Sequence, residues 1–212
     1  MINLNYLETM IDTIIFDFGN IFIDINRKAT EKAFVELGIK EWTEDLELSN
    51  QLYELGKIDE LEFMSVIQKH IPTVDILTIR NAWNIQVGDF PLKRLEFLQL
   101  ISSQYRVFLL SNADKTHIDR FEHKFGVSFA RDFYNCFEKV YFSFEFGFRK
   151  PDIKAFQLII NNHNLSPKKT LFIDDTEANI EGAKEVELQT WKLNPKNEDV
   201  TQLLEKLKIA YA

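Results

Sequence analysis

The sequence predicts an α/β fold of three layers, in which a parallel sheet lies between helices and a small all-helical domain is inserted after the first strand. Two observations predict this arrangement. Short apolar runs that end in polar residues alternate with segments of helical periodicity, which is typical of strands buried on both faces and joined by helices. The segment from about 27 to 90, in contrast, contains only helical patterns.

Buried strands are predicted at four places: "TIIFD" at 13–17, "RVFLLSN" at 106–112, "TLFIDD" at 170–175 and, less clearly, "KVYFSFE" at 139–145. The alternating phenylalanines of 142–148 indicate that the last of these strands is half-buried. Helices are expected in "IKAFQLIINNHNL", "EANIEGAKEV" and "VTQLLEKLKIAY", because apolar residues recur there on one helical face. Such an order predicts parallel strands with right-handed crossovers.

The inserted segment contains four amphipathic patterns, "ATEKAFVELGI", "TEDLELSNQLYELG", "DELEFMSVIQKHI" and "VDILTIRNAW". Gly38, Gly56 and Pro72 separate them as helix-ending signals. We therefore expect a core domain formed by residues 1–25 and 91–212, and a helical domain formed by residues 26–90.

Composition limits the partners. The chain of 212 residues has a formal net charge of −8, which argues against nucleic acid as the main partner because phosphate backbones require a basic surface. Its single cysteine, Cys136, cannot form an internal disulfide, so an oxidising compartment is not indicated. We find no basic leader and no run near the roughly 20 apolar residues of a membrane span. The expectation is a cytoplasmic protein with no membrane partner; the oligomeric state is not indicated.

Polar side chains stand where three of the predicted strands end. They are Asp17, the pair Ser111 and Asn112, and the pair Asp174 and Asp175. Ligands of open α/β sheets bind at the carboxyl ends of the strands, so neighbouring strands would bring these groups together. Crowded carboxylates repel one another, and hard oxygen ligands favour Mg²⁺ as the cation between them. The alternative for any one cluster is a plain helix N-cap.

Groups suited to a phosphate also occur. Arg149 and Lys150 precede Pro151, which suits the start of a helix. Gly19 and Asn20 form a short loop after Asp17, and the backbone N–H groups of such loops can bind anions. Taken singly, these features are better explained by a solvated surface lysine and an ordinary glycine turn.

Together, four segments resemble the motifs of the haloacid dehalogenase (HAD) superfamily of hydrolases. They are, in order, "IIFDFGNIFIDI", "FLLSN", "RKPD" and "LFIDDTEANIEGA", and the resemblance extends from about 12 to 192. It implies a Rossmann-like core of subfamily I with a helical type 1 cap. The "FDFGN" and "RKPD" variants most resemble the branch of sugar-phosphate phosphatases such as alpha-D-glucose-1-phosphate phosphatase.

The resemblance implies a Mg²⁺-dependent phosphatase acting on a small phosphorylated metabolite. Asp17 is then the nucleophile that forms an aspartyl-phosphate. The same carboxylate is a metal ligand, together with the carbonyl of Gly19 and the side chain of Asp175. Asp174 contributes to the metal site directly or through water.

The phosphoryl group is held, by the same resemblance, by Ser111, Asn112 and the N–H groups of Phe18 and Gly19. Lys150 has a catalytic as well as a substrate-binding role, since it neutralises Asp17 and the phosphate. A cation and an ammonium together offset the repulsion between carboxylate and phosphate.

The chain departs from the family pattern at Gly19, where phosphatases usually carry an acid that protonates the leaving group, a contribution worth about 10²–10⁴ in rate. Three explanations stay open: a leaving group of low basicity such as an anomeric or acyl oxygen, a proton from another group such as Asp24, or slow turnover in a protein that mainly binds. Asn179 replaces a second motif-four aspartate. The histidines, including His117, are expected on the surface without a role.

Two other functions are therefore kept beside the phosphatase. One is a metal-free hydrolase of the 2-haloacid dehalogenase type, since those enzymes also lack the second acid. The other is a non-catalytic metabolite binder that has lost turnover through Gly19.

Overall fold

The computed structural model describes residues 11–210. Its sheet has five parallel strands: β1 (Thr13–Phe16), β2 (Arg106–Ser111), β3 (Lys139–Phe142), β4 (Thr170–Asp174) and β5 (Gln189–Lys192). Their spatial order is β3-β2-β1-β4-β5. The first strand is central, and β2 and β4 flank it in parallel register. This order brings the three strands that end in polar residues side by side.

Four helices follow β1, as the apolar periodicity predicts: α1 (Arg27–Leu37), α2 (Glu44–Glu54), α3 (Glu60–His70) and α4 (Ile76–Trp83). Gly38 ends α1 in the left-handed conformation, with φ of 115°, which glycine adopts without steric cost. Asp59 and Asp75 cap the N-termini of α3 and α4 by accepting backbone hydrogen bonds.

The remaining helices connect or follow the later strands. They are α5 (Leu92–Ser102), α6 (Lys115–Phe125), α7 (Val127–Tyr134), α8 (Ser143–Phe146), α9 (Ile153–His163), α10 (Glu177–Glu185) and α11 (Leu203–Ala210). Within residues 11–210, no helix has both the length and the apolar character that a bilayer crossing requires.

Apolar clusters cover both faces of the sheet. Ile14 and Phe16 point to one face and join a cluster with residues of α5, α6 and α7. Ile15 points to the other and packs with Phe156 and other residues of α9 and α10. This alternation of side chains along β1 produces the three layers, and the predicted α/β, Rossmann-like fold class is confirmed.

The helices α1 to α4 enclose a cluster of their own, which includes Phe34, Leu46, Phe63, Ile67 and Trp83. A separate apolar centre is what an independently packed unit requires. The division into residues 1–25 with 91–212 and residues 26–90 stays a prediction. We refer to α1–α4 below as the helical insertion.

Two elements differ from the expectation. The predicted strand over 139–145 ends at Phe142 and continues as α8, so the phenylalanines of 142–148 do not alternate along a strand. The reason lies in the partner strand: Phe142 pairs with Ser111, the last residue of β2, so the backbone beyond it finds no ladder partner there. The edge strand β5 is not among the predicted strands, because its half-exposed sequence "QTWK" lacks the apolar run of a buried strand.

Candidate active site

The polar residues at the ends of β1, β2 and β4 meet at one edge of the sheet. Asp17 directly follows β1, and its N–H extends the ladder by donating to the carbonyl of Ile173, at 2.9 Å. One carboxylate oxygen each from Asp17, Asp174 and Asp175 lie within 4.8 Å of one another. Because these residues come from β1 and β4, the parallel register of the sheet creates the cluster.

Lys150 lies in the centre of this cluster. Its side chain is 1% exposed, and Nζ lies 2.6 Å from Oδ1 of Asp17 and 2.7 Å from Oδ2 of Asp174. Asn112 fixes the backbone of Lys150 from both sides: its Oδ1 accepts from the lysine N–H at 2.9 Å, and its Nδ2 donates to the lysine carbonyl at 2.8 Å. The amide of Asn112 therefore positions the ammonium, which leaves only its backbone for a phosphoryl group.

Burial and neighbouring charges act in opposite directions on the pKa values of Asp17 and Lys150. Burial raises the pKa of Asp17 to about 7, although the ammonium of Lys150 lowers it. Burial alone lowers the pKa of Lys150, but the carboxylates of Asp17 and Asp174 outweigh it, so the pKa of Lys150 lies above its usual range. A charged lysine beside two acids is the consequence.

The two acids that follow β4 have different surroundings. Asp174 is fully buried. Its Oδ1 accepts from the N–H of Thr176 at 2.8 Å, and its Oδ2 accepts from Lys150 and from Nδ2 of Asn179, at 3.0 Å. Asp175 is only partly buried, and its Oδ2 accepts from Asn20 at 2.7 Å. Asp175 therefore has more oxygen capacity available for a cation than Asp174, which holds Lys150.

These side chains fit a magnesium ion. Carboxylate oxygens are the hard ligands that Mg²⁺ prefers, three of them converge here, and the single ammonium of Lys150 leaves the cluster with excess negative charge. Asp17 and Asp175 are the side chains that would hold the ion, and the Gly19 carbonyl follows directly in the β1 loop. As individual ligands, Asp17, Gly19, Asp174 and Asp175 stay predictions.

The loop after Asp17 is held by Asn20. Asn20 adopts a left-handed conformation with φ of 58°, its Nδ2 donates to Asp175, and its Oδ1 accepts from the N–H of Ile25 at 3.0 Å. At Gly19, an added Cβ would lie 3.1 Å from Cγ1 of Ile25 and 3.9 Å from Oδ2 of Asp17. The position where the resemblance leads one to expect an acid therefore lies beside the Asp17 carboxylate.

A cavity of about 790 Å³ opens above this edge of the sheet, a size typical of small-molecule sites. The helical insertion forms one wall and the strand ends form the floor. Every predicted site residue except Asp174 lines it: Asp17, Phe18, Gly19, Ser111, Asn112, Lys150 and Asp175.

The expectation that His117 lies on the surface is wrong. His117 lines the cavity; its Nδ1 lies 2.7 Å from Oδ2 of Asp114, and the two side chains are 11% and 2% exposed. Burial alone lowers the pKa of His117, but the Asp114 carboxylate and the hydrogen bonds of the ring outweigh it, so this pKa lies above its ordinary value. The spacing of an N-cap aspartate and a histidine three residues later was the available signal.

Aromatic rings of the insertion continue this contact. The indole of Trp83 stacks on the imidazole of His117, with ring centres 5.0 Å apart, and the ring of Trp42 stacks on Trp83 at 5.8 Å. Nε1 of Trp83 also donates to Asp114, at 3.2 Å. Both tryptophans line the cavity, so the insertion and α6 form a continuous wall.

Two further charged residues, Asp24 and Arg149, differ in their position relative to the cavity. Asp24, the suggested alternative proton donor, lies 2.8 Å from Nη1 of Arg94 and is not among the cavity-lining residues, so the suggestion is not supported. Arg149, next to Lys150, does line the cavity, and its Nη2 lies 2.7 Å from Oε2 of Glu54 in α2. Burial raises the pKa of Glu54, while Arg149 lowers it.

Comparisons with known proteins identify the family of this chain. Residues 11–187 match the family model of haloacid dehalogenase-like hydrolases. The chain is 27% identical over 189 residues to D-ribitol-5-phosphate phosphatase from Bacteroides thetaiotaomicron, covering 86% of this chain and 92% of the relative. The chain belongs to the haloacid dehalogenase-like hydrolases.

Solved structures of similar proteins belong to the same family. A HAD family enzyme from Bacteroides thetaiotaomicron in complex with magnesium has a TM-score of 0.81 at 28% identity, over 92% of this chain and 98% of that one; a variant of the same enzyme has been solved with magnesium and inorganic phosphate. A HAD-like family hydrolase from Porphyromonas gingivalis has a TM-score of 0.80 at 26% identity, over 94% and 98% of the two chains.

These matches confirm the predicted superfamily and an enzyme of the hydrolase class. They also support phosphatase activity and magnesium as the cofactor, since the relatives are described as a phosphatase and as magnesium complexes. L-2-haloacid dehalogenase from Xanthobacter autotrophicus, with a TM-score of 0.57 at 16% identity over 85% of this chain and 76% of that one, shares the fold alone.

Proposed function

We propose that the protein is a Mg²⁺-dependent phosphatase of small phosphorylated metabolites, most closely sugar or polyol phosphates, that acts through an aspartyl-phosphate on Asp17. The observation that carries the proposal is the position of Asp17, which lies 2.6 Å from the ammonium of Lys150 and has a carboxylate oxygen within 4.8 Å of one of Asp175. The D-ribitol-5-phosphate phosphatase relative supports a substrate with several hydroxyl groups.

In the first step, a carboxylate oxygen of Asp17 attacks phosphorus, the new oxygen–phosphorus bond forms, and the ester bond breaks. The leaving group departs as an oxyanion, which takes up a proton from solvent water. Lys150 offsets the charge that accumulates when carboxylate and phosphate approach. Bound Mg²⁺ supplies Lewis-acid stabilisation of the phosphoryl oxygens. Water then attacks the phosphorus of the acyl phosphate, which restores the Asp17 carboxylate and releases inorganic phosphate.

The phosphoryl oxygens are bound by donors that belong to the floor of the cavity. The hydroxyl of Ser111, the backbone of Asn112 and the N–H groups of Phe18 and Gly19 have this role in our proposal. They follow the carboxyl ends of β1 and β2, where backbone donors of parallel sheets face the ligand. Lys150 acts both as a phosphate ligand and as the counter-charge of Asp17.

Gly19 determines which leaving group the site accepts. No carboxyl group at that position protonates the leaving oxygen, and Asp24 is engaged by Arg94. We therefore propose that the best substrates carry leaving groups of low basicity, such as the anomeric oxygen of a sugar 1-phosphate or an acyl phosphate. The proposal of a sugar phosphate with such a leaving group agrees with the branch of sugar-phosphate phosphatases that the "FDFGN" segment resembles.

The experiment is phosphate release from a panel of sugar 1-phosphates, sugar 6-phosphates, ribitol 5-phosphate and p-nitrophenyl phosphate, with Mg²⁺ and with EDTA. We expect turnover only with Mg²⁺, and loss of turnover in Asp17→Asn. The matched control is Asp12→Asn, an exposed aspartate at the other end of β1, which should retain activity. Equal rates in EDTA, or an active Asp17→Asn enzyme, would refute the proposal.

The absent acid at Gly19 also favours a second candidate, a metabolite binder without turnover. Such a protein would bind the same phosphate esters, and it would release no inorganic phosphate from any member of the panel. Steady-state turnover of one substrate excludes this candidate.

A further inference from the structure

The side chain of Asn20 makes two hydrogen bonds that connect different parts of the molecule. Its Nδ2 donates to Oδ2 of Asp175 at 2.7 Å, and its Oδ1 accepts from the N–H of Ile25 at 3.0 Å. Asp175 directly follows β4 and is one of the three converging carboxylates. Ile25 belongs to the segment that leads into the helical insertion. One amide group therefore joins the cluster of carboxylates to the beginning of the insertion.

The chemistry of the two partners matches an amide at this position. The Asp175 carboxylate accepts hydrogen bonds, and the backbone N–H of Ile25 donates one. An amide supplies a donor and an acceptor together, whereas a carboxylate would repel Asp175 and an alkyl side chain would bond to neither group. Asn20 also has a left-handed backbone with φ of 58°, which asparagine adopts more readily than most residues. The residue type therefore suits both the two bonds and the backbone.

The bond from Asn20 restricts the orientation of the Asp175 carboxylate. Asp175 is only partly buried, and its Oδ1 accepts from the hydroxyl of Thr176 at 3.2 Å. Each carboxylate oxygen accepts two hydrogen bonds or ligand contacts, so Oδ2 can bind a cation while it accepts from Asn20. Groups that hydrogen-bond a metal-binding side chain fix its orientation, and their loss typically weakens metal affinity by about 10- to 100-fold.

The second bond reaches the two segments that join the helical insertion to the core. Residues 24–26 enter the insertion and residues 86–89 leave it. Backbone hydrogen bonds of 2.8–3.0 Å pair the two segments, and Ile25 forms an antiparallel bridge with Val87. We refer to these two segments as the linker pair. Because Asn20 accepts from the N–H of Ile25, it holds the linker pair to the loop that follows β1.

We propose that Asn20 is a positioning residue that orients Asp175 for the cation and couples cation binding to the order of the linker pair. The proposal rests on the proposed role of Asp175 as a metal ligand. Coupling between two sites is reciprocal, so an ordered linker pair strengthens cation binding and a bound cation orders the linker pair. Asn20 acts through Asp175 and takes no part in the making or breaking of bonds.

The first measurement is the binding of Mn²⁺ in the absence of substrate, followed by the electron paramagnetic resonance signal of the free ion. Mn²⁺ accepts the same oxygen ligands as Mg²⁺. The variant is Asn20→Gly, because glycine adopts a left-handed backbone without steric cost and both side-chain hydrogen bonds are lost. We expect the dissociation constant for Mn²⁺ to rise by about 10-fold or more.

The matched control is Asn164→Gly. Asn164 is also left-handed, with φ of 50°. It is an exposed residue that ends α9, at the opposite end of this helix from Lys150. The same substitution at this position should leave the dissociation constant unchanged. Urea unfolding of both variants without metal measures any general loss of stability.

The second measurement is amide hydrogen exchange of residues 22–26 and 86–89, with and without saturating Mg²⁺. In the wild type, Mg²⁺ should slow exchange in both segments. In Asn20→Gly saturated with Mg²⁺, this slowing should be lost. A purely structural defect would change exchange equally with and without the metal, so the metal-dependent difference reports the coupling.

Two results would overturn the proposal while the metal role of Asp175 stands: an Asn20→Gly protein that binds Mn²⁺ as tightly as the wild type, or wild-type exchange that Mg²⁺ leaves unchanged in the linker pair. A wild-type protein that binds no Mn²⁺, or an Asp175→Asn variant with unchanged affinity, would refute both the metal role of Asp175 and the coupling. Failure of the coupling is therefore distinguishable from failure of the proposed function.

Discussion

At the scale of single residues, Gly19 has the most direct effect on chemistry. Its backbone is not in the left-handed region, so a residue with a side chain can adopt its conformation after a small shift of Ile25. An added Cβ would lie 3.9 Å from Oδ2 of Asp17, so a carboxyl group at this position would stand next to the proposed nucleophile. The position is therefore open to an acid that the sequence lacks.

We predict that Gly19→Asp increases the turnover of primary alkyl phosphates such as ribitol 5-phosphate. Proton donation is worth about 10²–10⁴ in rate, and we expect a gain of about 10-fold or more, because the surroundings are not adapted to the acid. Gly19→Asn is the matched control, since it has the same size and cannot protonate an alkoxide. Equal kcat values for the two variants would contradict the prediction.

His117 makes stability depend on pH. Its ring faces the carboxylate of Asp114, with Glu54 as a more distant acid, and it contacts the Gln86 side chain and the carbonyl of Trp83. The pKa of His117 in the folded protein lies above the ordinary value of 6.5. The stabilisation is therefore complete below about pH 6.5 and is lost as the pH rises through the raised pKa.

We predict that the free energy of unfolding of the wild type exceeds that of His117→Gln most at pH 5, and that this difference shrinks toward pH 9. Urea titrations across this range measure it. The control is His123→Gln, an exposed histidine of the same helix, which should change stability by less than about 0.5 kcal/mol throughout. A stability difference that grows with pH would contradict the predicted direction of the pH dependence.

At the scale of elements, α10 supports the segment that carries Lys150. A Cβ added at Gly182 would lie 2.4 Å from the carbonyl oxygen of Pro151 and 3.1 Å from the Pro151 side chain. Backbone cannot move away as a flexible side chain does, so only glycine fits where α10 meets this segment.

We predict that Gly182→Ala destabilises the protein by about 1–3 kcal/mol through overpacking, although alanine is the better helix former by about 1 kcal/mol. Because the displaced backbone adjoins Lys150, kcat should fall as well. Urea unfolding and phosphatase assays measure both effects. Glu185→Ala, at an exposed position of α10, should leave the free energy of unfolding and kcat unchanged within error. A Gly182→Ala protein as stable as the wild type would contradict the predicted steric conflict with Pro151.

The elements also show what sequence can predict. The core strands β1, β2 and β4 are recognisable because both of their faces are buried, which produces runs such as "TIIF" that need no tertiary information. The strand β5 and the end of β3 depend on which strand lies next to them, and that information is not local. The candidate site residues are recognisable for a related reason: Asp17, Ser111 and Asp174 stand directly at strand ends.

Asp114 and His117 could not be assigned in the same way. A histidine in a helical pattern does not reveal which face the helix buries, and the contact of His117 with Trp83 of the helical insertion joins residues far apart in the sequence.

At the scale of the whole molecule, the helical insertion is attached to the core around the cavity. The hydroxyl of Tyr53 in α2 lies 2.7 Å from Oγ1 of Thr116 and accepts from the Thr116 N–H at 3.2 Å. Trp83 donates to Asp114, and Glu54 pairs with Arg149. These contacts hold the insertion against the core at the wall of the cavity.

We predict that Tyr53→Phe loosens this attachment, because it leaves Thr116 without its partner at a cost of about 1–3 kcal/mol. Amide hydrogen exchange of residues 44–54 should become faster. The matched control is Tyr134→Phe, which removes a hydrogen bond to Glu122 between two core helices and should not accelerate exchange in that segment. Identical exchange profiles for the two variants would show that Tyr53 does not fasten the insertion.

The stacked indoles in the cavity wall give the enzyme an intrinsic optical reporter. Two of its three tryptophans, Trp42 and Trp83, face the space that a ligand enters, and one of them rests on an imidazole. Emission from these rings responds to changes in their contact partners, so ligand entry and movement of the insertion become visible as fluorescence changes without any attached dye.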